Sequence, residues 1–235
     1  MPAQRLVSAV DIGLFDVVGI DSAAEPHFVR HLALSTLALP AHNPNSKITL
    51  AHMRPPLDLA EAEQGPIHTF GFLPLDDGEQ AAVRLFADNL ASEQTAYRLR
   101  TSTSKNFYCI RPHTRSVPVV GGDGTIQFRE FSCVGFVIEA YEFAGIRLIA
   151  TEEANLPPVT LTMLRAAYPD PEFDRALSNP RFRAISNLAG DGPWPIVLPG
   201  YVLSALSSVC FCRLDPRSEL PYQPRPGDEY FPPRP

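Results

Sequence analysis

The sequence predicts an α+β domain, and three observations carry that expectation. The first third of the chain is a succession of short apolar runs separated by turn residues, as in a small antiparallel sheet. From Asp76 onward apolar positions recur at helical spacing. No internal repeat divides the 235 residues, and that length buries one full core.

Taken in order, "SAVDIGLFDVVGI" reads as a strand or strand pair. "FVRHLALSTLALP" is a strong strand, "AHNPNSK" its turn, and "ITLAHMRPP" the returning strand, ended by two prolines. "IHTFGFLPL" is a further strand. Asp76 to Ala91 has an acidic start and then Ala82, Leu85, Phe86, Asn89 and Leu90 at helical spacing, so it reads as a helix. "RSVPVVGGDGTIQFREF" reads as a hairpin around its glycines; no helix opens after them, which disfavours a phosphate loop. In "FSCVGFVIEAYEFAGIRL" Ser132 is the expected N-cap. Val134, Val137, Ile138, Tyr141 and Ala144 form one apolar stripe, and Gly145 with Ile146 closes the helix. "PPVTLTMLRAAYP" is a short helix. One domain, residues 1–214, is expected, followed by a Pro-rich tail, 215–235, either mobile or draped over the domain.

Composition narrows the function. Apolar residues make up 45% of the chain, ordinary for a globular protein. The net charge is −6 and no run of Lys and Arg occurs, so a nucleic-acid partner or an electrostatic grip on an anionic membrane is not expected. "PWPIVLPGYVLSALSSVCFC" is interrupted by Pro199, Gly200 and several serines, and reads as a buried helix or lid rather than a membrane span. No signal peptide is read at the start, and the expected location is cytoplasmic, with thiols reduced. Cys210 and Cys212 are spaced C-x-C without a second pair or a nearby His, a poor zinc site. No feature implies a metal or an organic cofactor. The expected partner is a small-molecule or peptide substrate.

Cys133 is the residue that raises a chemical question. It lies in the first turn of its helix, where unpaired N–H groups favour an anion and hence a reactive thiolate. A nucleophilic thiol needs a base, and all six histidines precede it. His31 begins one strand and His52 lies near the end of the next, so a hairpin would make the two imidazoles neighbours at one sheet edge. Other readings stay open. Cys133 adjoins an apolar stripe and is equally a core residue; His31 and His52 are equally two half-exposed strand residues; His68 competes as base or orienter. His113 is flanked by Arg111 and Arg115, His42 lies in a turn, His27 reads as structural, and Cys109 as a packed thiol.

The order of these parts resembles the papain-like cysteine peptidases of the NlpC type, in their circularly permuted branch, which includes lecithin–retinol acyltransferase-like enzymes. The resemblance covers roughly Val10 to Ile149 and rests on "VDIGLF", "RHLALSTL", "ITLAHMRPP" and "FSCVGFVIEAYEFAGIRL" in that order. It implies a papain-like fold in which a small sheet packs on helices and the His strands precede the Cys helix. It implies Cys133 as nucleophile, His31 as base and His52 as orienter, with the Cys133 N–H helping to hold an oxyanion. Tyr97 matches a tyrosine that often precedes the Cys helix. The implied activity is hydrolysis or acyl transfer at an amide, peptide or ester bond. The alternative is an inactive binding module on the same fold.

Overall fold

The computed structural model of the chain describes residues 4–5, 12–21, 28–36, 48–52, 58–62, 69–71, 73–101, 106–108, 117–120, 126–167, 171–185, 188, 190–212 and 221–231. His27, His42, His68, His113, Cys109 and the Gly121–Gly124 loop lie outside them. The class is α+β.

The principal sheet has six strands, all paired antiparallel: β1 (Gln4–Arg5), β2 (Val17–Asp21), β3 (Val29–Ser35), β4 (Ile48–His52), β5 (Asp58–Ala62) and β6 (Thr69–Gly71). Their order is β1-β6-β2-β3-β4-β5, which puts β2 and β3 at the centre. A second sheet joins β7 (Asn106–Tyr108), β8 (Val117–Val120) and β9 (Ile126–Phe131). The β8–β9 pair is the expected antiparallel hairpin, whereas β7 pairs with β9 in parallel.

β2 is entered through a tight turn. Gly13 N–H donates to Asp16 Oδ2 at 2.7 Å, and Phe15 is held at φ +65°, a conformation that bulky residues rarely adopt. Asp16 is buried, and burial raises its pKa to about 6 despite the opposing bond from Gly13. An unfolded Asp titrates near pH ~4. Between there and about pH 6 the folded chain keeps a proton that the unfolded chain has lost, so stability falls as pH rises through that window. The loss should be about 3 kcal/mol for a shift of roughly two pH units. Asp16→Asn keeps the acceptor and removes the titration. Urea unfolding at pH 4 and pH 7 should show a smaller pH dependence in the variant by about that amount; equal dependence would mean Asp16 is not the titrating group.

Helix α1 (Asp77–Thr101) starts at a reciprocal cap: Glu79 N–H donates to Asp76 Oδ1 at 2.8 Å and Asp76 N–H to Glu79 Oε2 at 2.9 Å. It runs past the Ala91 end that the sequence suggests. Helix α2 (Cys133–Phe143) is capped by Ser132, whose Oγ accepts from Gly135 N–H at 2.8 Å. Past its end, Gly145 takes φ +83° and Ile146 N–H returns to the Tyr141 carbonyl at 2.9 Å, the left-handed closure that glycine permits. α2 is buried nearly all round, from Val134 to Tyr141, because β3 lies against it and α1 packs beside it. α3 (Leu161–Ala167), α4 (Pro171–Leu177) and α5 (Pro180–Ile185) follow.

Helix α6 (Pro199–Cys212) fills the remaining core with Tyr201, Val202, Leu203 and Leu206. Among the described residues no helix is long and apolar enough to cross a membrane. Residues 221–231 are draped over the domain. Tyr222 bridges Ile149 in parallel and Tyr230 bridges Phe28 in antiparallel fashion. Asp228 and Glu229 carbonyls approach Gly200 so closely that a Cβ there would lie 2.4 Å from the Glu229 oxygen, which excludes any other residue at that position. Residues 221–231 are thus part of the domain's packing, the draped alternative of the two.

Candidate functional site

The two histidines singled out from sequence are neighbours. His31 Nε2 and His52 Nδ1 are 3.0 Å apart, and the rings meet edge-on with centroids 5.2 Å apart. The register explains it. Leu34 pairs with Ala51 and Ser35 with Leu50, so the next pair along sets His52 opposite Ala33. His31 is two residues from Ala33 on the same strand, which makes the imidazoles diagonal neighbours within reach of their rings. His52 is only 8% exposed and His31 is half-buried. One ring must donate and the other accept across this contact.

Cys133 opens α2 and is 1% exposed, within an apolar cluster that includes Phe28, Val29, Leu32 and Val137. The other end of its helix is anchored to the sheet. Tyr141 Oη donates to the Phe15 carbonyl at 2.9 Å, and Phe15 N–H donates to the Ser35 carbonyl at 2.7 Å, which pins the C-terminal half of α2 beside Ser35. Tyr141 back to Cys133 spans about 12 Å at helical rise, and Ser35 back to His31 about 13 Å at strand rise. A helix running in the direction of β3 would bring the thiol near the level of His31.

The faces of the sheet add a second constraint. Leu32, Leu34, Val17 and Ala51 belong to the cluster that contains α2, and His31, Ala33, Leu50 and His52 take the alternate positions. That alternation breaks beside His31. His31 pairs with Ile20 and Val29 with Asp21, so Arg30 is an extra, exposed residue in β3. A bulge re-aims the side chains next to it. Contact between Sγ and the His31 ring requires the imidazole to reach round this end of the strand.

Tyr97 lies within α1, and no side-chain environment is described for it. Among the described residues no cluster of His, Cys, Asp and Glu is built to hold a metal ion. Sequence reasoning missed the buried acids beside Tyr141. Asp16 and Glu79 act on its hydroxyl, and burial together with those charges pushes the Tyr141 pKa well above the usual phenol range. The signal was available: Asp76 and Glu79 have the spacing of a capping box, which turns an acidic side chain back toward the helix start.

Comparison with family models, with characterised proteins and with solved structures gives no match.

Proposed function

We propose that the chain is a cysteine-dependent hydrolase or acyltransferase that works on an amide, peptide or ester bond through an acyl-enzyme. The observation that carries this reading is the His31–His52 contact, with the ring nitrogens 3.0 Å apart. In this reading His31 Nε2–H donates to His52 Nδ1, and the unprotonated Nδ1 of that tautomer serves as the base. His31 takes the proton of Cys133 as Sγ attacks the carbonyl carbon. The leaving amine or alcohol departs with that proton, and a thioester remains. Water or an acceptor amine, deprotonated by the same imidazole, then releases the acyl group. Backbone N–H groups at the start of α2, that of Cys133 among them, supply donors to the oxyanion.

The test uses p-nitrophenyl acetate. Intact-mass and peptide analysis should find one acetyl group on Cys133, with none after Cys133→Ala. Undiminished p-nitrophenol release by Cys133→Ala would sink the proposal.

A second reading, an inactive binding module with a packed thiol, is favoured by one observation: Cys133 is 1% exposed inside an apolar cluster. It expects no acetyl adduct at Cys133 in the native protein and labelling only on unfolding.

A further inference from the structure

A second site lies at the other end of β3, against α1. A cavity of about 520 Å³ opens between the Leu14 turn and the outer face of the helix, where Asp77, Ala81, Arg84, Leu85 and Asp88 line it. Its volume is in the range of small-molecule pockets. A smaller cavity of about 140 Å³, bounded by Phe15, Thr36 and Ala51, shares Arg84 and Asp88 with it. The Arg84 side chain thus stands between two parts of one cleft.

Arg84 is held in place without being neutralised. Its guanidinium lies 5.8 Å from the centroid of the Phe15 ring. Among the described residues no ion pair joins it to Asp77 or Asp88, although both carboxylates line the same cavity. The ring beneath it is fixed in turn. Phe15 keeps its φ of +65° because its N–H is bound by Ser35 and its carbonyl by Tyr141. Such a conformation persists where the surroundings enforce it. Leu85 is 52% exposed and, with Leu14 and Ala81, gives the cavity an apolar floor.

We propose that this cleft binds a small zwitterion with an apolar side chain, of the class of a free apolar α-amino acid. The guanidinium fork takes the carboxylate. Asp88, one helical turn from Arg84, takes the ammonium, and the floor takes the side chain. The Asp88 carboxylate disfavours a plain anion, and Arg84 disfavours a plain cation. The site is distinct from the thiol, because Cys133 is buried and lines neither cavity.

Isothermal titration with L-leucine tests the assignment. The full chain should bind it saturably, and Cys133→Ala should bind it equally well. Arg84→Gln and Asp88→Asn, both at exposed positions, should each weaken binding about tenfold or more. Leucinamide, which lacks the carboxylate, and N-acetylleucine, which lacks the ammonium, should be weaker by a similar factor. Three results overturn the proposal: no saturable heat up to on the order of 10 mM, unchanged affinity in Arg84→Gln, or N-acetylleucine binding as well as leucine.

Discussion

His31→Ala is expected to slow acylation of Cys133 by about 10²- to 10⁴-fold, the usual worth of a positioned general base. The expectation follows from the geometry of the pair. His52 Nδ1 lies 3.0 Å from His31 Nε2, and in the proposed mechanism Nδ1 of His31 takes the thiol's proton. Removing the ring removes the proton acceptor and leaves the thiol in place. His52→Ala should have a smaller effect, because the base remains and loses only the partner that fixes its tautomer. Stopped-flow release of p-nitrophenol, read beside the urea midpoint of each variant, separates chemistry from folding. His31 is half-buried, so the midpoint should move little. Equal rates in wild type and His31→Ala would leave Cys133 as a core residue.

Phe136→Ala is expected to cost about 3–5 kcal/mol, a large part of the stability of a domain this size. Phe136 is fully buried, and its ring packs on Phe86 of α1 with centroids 6.0 Å apart. Truncation opens a cavity where α1, α2 and β3 meet, and close-packed neighbours collapse only in part. Phe143 supplies the control. It contacts the same Phe86 ring at 5.8 Å but is 53% exposed. Phe143→Ala should cost under about 1 kcal/mol. Similar losses in the two variants would show that aromatic contact, not burial, holds α1 to α2.

The central strands and the cysteine helix were legible because their signals are local. Ser132 caps α2 and Gly145 follows its end in the left-handed region, as the residue types suggest. The neighbouring imidazoles were legible too, because alternation and a hairpin suffice to bring them together. β5 and β7 were not seen. "DLAEA" carries two acids, and "NFY" is too short to show a period. The extension of α1 to Thr101 was missed because "SEQTAYRLR" has few apolar residues to mark a face. α4 and α5 were missed although each opens on a proline, and Asn179 Oδ1 accepts from Arg181 N–H at 2.9 Å at the start of α5. The bulge at Arg30 was illegible, because it exists only in the pairing of β3 with β2. Between a mobile and a draped C-terminal segment the sequence left the choice open, because the docking of residues 221–231 depends on Gly200 admitting two carbonyls.

Alkylation of Cys133 by iodoacetamide, followed by peptide mass spectrometry from pH 5 to pH 9 in wild type and in His31→Ala, tests the thiol–imidazole account most directly. The account expects native Cys133 to react readily at pH 6, where an ordinary thiol of pKa about 8.5 is almost wholly protonated. It expects that low-pH reactivity to fall about tenfold or more in His31→Ala. Slow labelling at every pH, the same in both proteins and fast only after unfolding, would contradict it and leave Cys133 as packing beneath α2.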